Sequence, residues 1–172
     1  MPAIRFVQLS PAAMSALIDG DLDAASAAAG HRLSDYLVSE SWLWEIRREQ
    51  IARDPASADW VARAAVAEPE GVVVGHGGFH APPDEHGMVE VAYSVDPVFR
   101  LRGYAKAILR ALLRRSDADP AVRAVRASIR PDNKGSLATI AGFGFKKVGE
   151  QWDPEDGLEW VFQRSSSTTS GR

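Results

Sequence analysis

The stretch FRLRGYAKAIL, residues 99–109, sets a glycine among arginines and a tyrosine just ahead of an amphipathic run. A helix starting there leaves its first backbone amides unpaired. With the helix dipole behind them, those amides form a site for an anion such as a pyrophosphate. Gly103 lets the backbone approach such a ligand with no side chain in the way, and Arg100, Arg102 and Lys106 add positive charge around it. The same spacing also fits a purely structural reading, a solvated basic helix start with a turn glycine. Ala105, Ile108, Leu109 and Leu112 already explain the helix as a core element.

The elements that must position these residues follow from hydrophobic periodicity. Residues 3–9 form a first strand, closed by Ser10 as a helix N-cap and Pro11 at the first helical position. From about 22 to 53 the chain is rich in alanine, leucine and charge, with Gly30 as a break and Asp54-Pro55 as a stop, which predicts two or three short helices. Strand candidates at 58–67, 71–81 and 87–95 are separated by the turns EPE and PPDEH and read as an antiparallel meander. Helix 104–116, strand 122–129, helix 134–142 and strands 145–150 and 158–164 follow. An antiparallel start that gives way to alternating helices and strands predicts an α/β domain with a mixed sheet and a crossover in its second half. The domain is read as residues 1–164, and SSSTTSGR, 165–172, as a disordered tail.

Composition narrows the classes. A chain of 172 residues suits one domain with a sizeable core, and 45% apolar with 25% charged residues is ordinary for a globular protein. A formal charge of -3 and a pI near 5.8 give no general attraction to nucleic acid or anionic membranes. The absence of cysteine excludes disulfides, thiolate metal sites and cysteine nucleophiles. MPAIRFVQLSP lacks the pattern of a secretory signal and no later run is long and apolar enough to span a membrane, so a cytoplasmic protein is expected. No repeat at a fixed period and no long linker argue for a second domain.

Several other residues invite chemistry and are set aside. His76 and His80 share one face of a strand, but no third ligand accompanies them, so no metal site is expected. Trp42, Trp44 and Trp60 are pocket candidates that core packing also explains. Arg110, Arg114 and Arg115 read as a solvated helix face, and the acidic loops DGDLD, EPE, PPDE and DPED as solubilising, although they would also favour a cationic partner.

VDPVFRLRGYAKAIL resembles the acetyl-CoA-binding signature of the GNAT N-acetyltransferases: Arg or Gln, two residues, Gly, one residue, then Gly or Ala, after the fourth strand. Arg100, Gly103 and Ala105 occupy those positions. IRPDNKGSLATIAGFGFKKVGE is similar to the family's next segment, with Asn133, Ser136 and the Gly144-Phe145 pair correctly spaced. The resemblance is clear over 87–150, extends through the order of elements to most of the chain, and is weak over 10–57, where acceptor-binding elements usually lie in that family. It is closest to the branch that modifies ribosomal-protein N-termini. It implies a single-domain GNAT-like fold with a mixed sheet of about seven strands flanked by helices, and acetyl-CoA as co-substrate. The backbone of Leu101, Arg102, Gly103, Tyr104, Ala105 and Lys106 would hold the pyrophosphate. The strand around Val95 would pair with the pantetheine arm, and Asn133 and Ser136 would face the cofactor.

An amine must lose its proton before it attacks a thioester, which calls for a general base. The resemblance offers Glu90, acting directly or through water, against the plainer reading of a surface carboxylate in an alternating strand. Related enzymes often protonate the leaving thiolate with a tyrosine seven residues after the asparagine; here that position is Ile140. Ser136, Tyr93 or water remain as donors. Ser136 is favoured because the N-terminus-modifying branch commonly has a serine there, although a helix-start hydroxyl that bonds only local backbone accounts for it equally. Without cysteine, direct attack in a ternary complex is the expected route. The acceptor is a protein N-terminus or a small amine such as an aminoglycoside or polyamine, with homodimerisation left open. A non-catalytic acyl-CoA sensor and a plain interaction domain are the rival readings.

Overall fold

The computed structural model describes residues 2–166. Its strands are β1 (Ala3–Val7), β2 (Arg63–Glu68), β3 (Val72–Phe79), β4 (Met88–Val95), β5 (Ala124–Ile129), β6 (Lys146–Asp153) and β7 (Gly157–Ser165). Its helices are α1 (Pro11–Ile18), α2 (Leu22–Ala29), α3 (Asp35–Ser39), α4 (Ser41–Arg53), α5 (Tyr104–Ala118) and α6 (Lys134–Ile140). One seven-stranded sheet runs in the order β1-β2-β3-β4-β5-β7-β6. Its first four strands are antiparallel neighbours, β4 and β5 are parallel, and β5, β7 and β6 are again antiparallel. A parallel pair needs a crossover, and α5 supplies it.

Local chemistry sets the helix ends. Ser10 Oγ accepts the Ala13 N–H at 3.2 Å with Pro11 in the first turn, and Asp21 Oδ1 accepts the Ala24 N–H at 3.0 Å. Gly30 closes α2 in the left-handed region. The strand expected from residue 58 begins only at Arg63, because Pro55–Asp59 winds into a 3₁₀ turn capped by Asp54. Turn chemistry overrides apolar content there. Strand β6 is longer than expected, reaching Asp153, whose Oδ1 accepts the N–H groups of Glu155 and Asp156 and forms the hairpin turn.

The tail boundary also moves. Ser165 is the last residue of β7, and Ser166, 2% exposed, donates its N–H to the Arg123 carbonyl at 2.8 Å. The rest of the segment expected to be disordered lies outside the described residues.

Helices lie on both faces of the sheet. Ile108, Leu109 and Leu112 of α5, all nearly inaccessible, pack on Val89, Val91, Val95, Val125, Ala127 and Ile129. Helices α1 to α4 cover the opposite face of β1 to β3 through Met14, Leu17, Leu37 and Trp44, against Val7, Ala64, Val66 and Val73. Trp44 is core and donates Nε1–H to the Leu37 carbonyl at 2.7 Å. Trp60 is buried against Phe79 beneath the Arg115 guanidinium, whereas Trp42 stays 55% exposed. No helix among the described residues is long and apolar enough to cross a membrane.

Residues 60–62 lie so close over β3 that a Cβ on Gly78 would sit 2.6 Å from the Ala62 backbone nitrogen. Gly78→Ala is therefore expected to destabilise the fold by about 1–3 kcal/mol, since backbone cannot yield as a side-chain tip can. Urea unfolding measures this, and an unchanged midpoint would show that the 60–62 segment is free to shift.

Candidate active site

The parallel pair is short. Strand β4 is matched to β5 only from Met88 to Glu90, opposite Ala124 to Arg126, and the strands then part. Their hydrogen-bonding pattern shows what the parting exposes. His80 N–H donates to the Glu90 carbonyl and Asp96 N–H to the Val74 carbonyl, so even-numbered β4 residues bond to β3. By the alternation of an antiparallel ladder, Val91, Tyr93 and Val95 turn their backbone groups towards the gap. The Val95 carbonyl is engaged there by Arg100 Nε at 3.2 Å. A cavity of about 680 Å³ occupies the opening.

At the wide end of the gap the chain enters α5. Leu101 and Gly103 both have positive φ, +61° and +84°, a curl that turns successive amides to one side. Ala107 is the first residue of α5 to bond back, to the Gly103 carbonyl at 3.1 Å, and the glycine N-cap has no side chain with which to engage the amides before it. Arg100, Leu101, Gly103, Tyr104, Ala105 and Lys106 all line the cavity. Arg102 is not among its lining residues; its guanidinium lies over the Phe99 ring, 5.8 Å from the centroid.

The far wall comes from α6. Asn133 and Ser136 line the cavity, and the Asn133 carboxamide oxygen accepts the Ser136 N–H at 3.1 Å as the helix cap. Ile140, seven residues after Asn133, is 4% exposed and packed in the α5-side core. Tyr93 also lines the cavity, and burial pushes its hydroxyl up to about 12.

Strand β4 places the remaining chemistry. Val89, Val91 and Val95 face α5, so Glu90, Ala92 and Ser94 face the other side. Glu90 lies outside the cavity wall, at the point where the strands part, with its Oε2 3.7 Å from His80 Nδ1. Burial draws His80 below the ordinary histidine value, opposed by the Glu90 and Glu159 carboxylates and aided by Arg47. Arg47 and Gln50 of α4 both donate to the His80 carbonyl. Glu159, 9% exposed, accepts from Gln151 Nε2, which also reaches Ser128 Oγ.

A second cluster stands farther along the same face. Glu40, at the end of α3, accepts from Tyr36 Oη at 2.8 Å, His76 Nε2 at 3.1 Å and Trp42 Nε1 at 2.8 Å. Tyr36 Oη also contacts Ser94 Oγ. The Tyr36 ring stacks on His76 with centroids 6.0 Å apart, and Trp44 meets His76 edge-on at 5.6 Å. Its bond from His76, with help from Tyr36 and Trp42, holds the Glu40 carboxyl down at about 2, against the opposing effect of burial. Burial, with Glu40 assisting, pushes the Tyr36 hydroxyl up to about 12.

The structure thus brings Val95, Arg100, Leu101, Gly103, Tyr104, Ala105, Lys106, Asn133 and Ser136 to one cavity and leaves Arg102 and Glu90 outside its wall. Tyr36, Glu40 and Ser94 escaped the sequence reading, and His76 entered it only as a metal candidate. Among the described residues no cluster suited to a metal exists. Tyr36 and Glu40 stand four apart across a helix end, which is a legible pairing, but their bonds to His76 and Ser94 span 36 and 58 residues.

The overall fold is shared with solved acetyltransferases. The structure superposes on RimL, a ribosomal alpha-N-protein acetyltransferase in complex with coenzyme A, with a TM-score of 0.66, 16% identity and 96% of each chain covered. It superposes on the aminoglycoside acetyltransferase AAC(6')-Ib in complex with coenzyme A with a TM-score of 0.61 and 16% identity, covering 99% of this chain and 98% of that one. In sequence, 73 residues are 32% identical to the uncharacterized N-acetyltransferase YjdG of Bacillus subtilis (strain 168), which is 42% of this chain and 44% of that relative. Residues 13–146 match the acetyltransferase (GNAT) domain family, and the chain belongs to it.

The Glu40 cluster gives stability a pH dependence. Its folded value of about 2 lies below the ordinary 4.5, so the unfolded chain takes up the proton first as pH falls and the contribution fades below about pH 4.5. The stability advantage of the native protein over Glu40→Gln should shrink by on the order of 2 kcal/mol between about pH 6 and pH 3. Urea unfolding at a series of pH values checks this, and a constant advantage would show that no ionised carboxylate is held there.

Proposed function

We propose that this protein is an N-acetyltransferase that moves an acetyl group from acetyl-CoA to a primary amine by direct attack in a ternary complex. The observation that carries the reading is the opening between β4 and β5, with the unpaired amides of α5 at its wide end. The residues present fit the co-substrate. An extended arm bearing amides finds open backbone groups at Val91 and Tyr93 and the N–H of Val95, as an added strand would. A pyrophosphate finds the amides of residues 101–106, with Arg100 and Lys106 beside them. Arg102, turned onto Phe99, contributes charge from a distance.

The acceptor enters on the face of α1 to α4, where Glu90 stands at the narrow end of the gap. Glu90 takes the proton from the amine, directly or through a water, as the nitrogen attacks the thioester carbonyl and the carbon–sulfur bond breaks. His80 beside Glu90 is held below its ordinary value and stays uncharged at neutral pH, so no imidazolium competes with the amine for the carboxylate. Ser136 supports the departing sulfur with a hydrogen bond. A phenol at about 12 holds its proton more tightly than a thiol near 8.5, so Tyr93 does not deliver one, and solvent completes the protonation. Acidic groups on the acceptor side, Glu90 and Glu159, suit a cationic amine, with a protein N-terminus and a polyamine or aminoglycoside as the candidate acceptors.

Acetyl-CoA-dependent thiol release against peptides, polyamines, aminoglycosides and amino acids tests the reading and names the acceptor. Glu90→Gln should lower turnover roughly 10²-fold or more while leaving acetyl-CoA affinity within about twofold. Gly103→Glu should abolish acetyl-CoA binding, since a carboxylate then stands in the anion site at a backbone angle that side chains resist. Tight binding with no turnover on any acceptor would favour a sensor, and no binding at all would overturn the assignment.

A further inference from the structure

The hydrogen bonds around Glu40 have one consistent direction. A carboxylate has no proton to give, so Tyr36, His76 and Trp42 all donate to it. A phenol carries a single hydroxyl proton, and that of Tyr36 is directed at Glu40. The contact between Tyr36 Oη and Ser94 Oγ must then be made with the Ser94 proton. Ser94 is left with lone pairs and no free proton for any other group that approaches its oxygen.

Its position gives that polarity a use. Ser94 lines the cavity on the part of β4 that has left β5. Free serine hydroxyls rotate and either donate or accept. This one is tied to Tyr36, whose ring is stacked on a histidine only 6% exposed, itself held by Glu40 and Trp44. Ser94 also shares its face of β4 with Glu90, four residues and about 13 Å away, with the small side chain of Ala92 between them. Ser94 lies in the cavity wall and Glu90 beyond its edge.

We propose that Ser94 Oγ is a fixed hydrogen-bond acceptor in the wall of the cavity, held in that polarity by Tyr36 and Glu40 as positioning residues, and that it receives an N–H donor. Two groups in a ternary complex have that chemistry: an amide of the pantetheine arm and the amine of the acceptor. A carbonyl oxygen in the same place would meet only lone pairs. This inference rests on reading the cavity as an acetyl-CoA site.

Ser94→Ala, Tyr36→Phe, their combination and Ser94→Thr test it in two arms. One arm is the dissociation constant of acetyl-CoA alone, by calorimetry. The other is the KM of the acceptor turned over best in the panel, at saturating acetyl-CoA. Loss of one hydrogen bond predicts a roughly three- to tenfold weakening, in the same arm, for Ser94→Ala and Tyr36→Phe alike. Their combination should lose no more than the larger single change, with kcat within about twofold throughout, and Ser94→Thr should restore the native value. Weakening in calorimetry assigns the donor to the pantetheine arm, and weakening confined to the acceptor KM assigns it to the amine. Native behaviour of both single variants in both arms would overturn the proposal, as would additive losses or a Tyr36→Phe variant that keeps full affinity while Ser94→Ala loses it. Failure of the native protein to bind acetyl-CoA would overturn the reading of the cavity itself. In a protein that binds acetyl-CoA but transfers nothing, calorimetry alone decides, and unchanged affinity in the variants overturns the proposal.

Discussion

The structure depends on one deficit of hydrogen bonding in the middle of its sheet. Buried backbone groups are almost always paired, and a strand inside a sheet is ordinarily paired on both edges. Beyond Glu90, β4 keeps β3 on one side and loses β5 on the other. The separation is maintained from both ends. Helix α5 leaves β4 at the wide end and returns to β5 at the narrow one, and its apolar stripe of Ile108, Leu109 and Leu112 fills the underside of the gap. The opening is a product of core packing, and the groups it exposes form an edge that an extended ligand can complete.

Because side chains alternate along β4, the two sides of that edge differ in character. Val89, Val91 and Val95 contribute to the hydrophobic core, while Glu90, Ala92 and Ser94 present polar and small groups to α1 to α4. At one end Glu90 stands beside His80, on which Arg47 and Glu159 also act; at the other, Ser94 is tied through Tyr36 to a half-buried carboxylate and a buried histidine. Holding Glu40 half-buried is tolerable because three donors converge on it. The same convergence fixes the direction of every proton in the chain of bonds.

Much of this was legible in the order of residues. The stripe of α5, the Ser10-Pro11 start, the break at Gly30 and the glycine that opens α5 are local signals, carried by neighbours three or four residues apart, and they reappear in place. Elements with competing local chemistry were misplaced at their edges. Trp60 to Ala62 has the apolar content of a strand, yet the Asp54-Pro55 turn delays β2 to Arg63. Asn133 reads as a ligand-facing residue and lines the cavity, but its oxygen is already engaged in capping α6.

What the sequence determined by itself was the set of elements and the glycine-capped start of α5. Both arise from short-range periodicity and from backbone geometry that only particular residues adopt, as at Gly103. Tertiary structure alone decided which side chains share the face of β4 turned to α1 to α4. His76 and Ser94 meet because β3 and β4 pair in one register, and Tyr36 and Glu40 reach them because α3 packs across that pair. A register is a property of two strands, and a hydrogen-bond polarity is a property of the whole chain of donors; neither is written in any one segment.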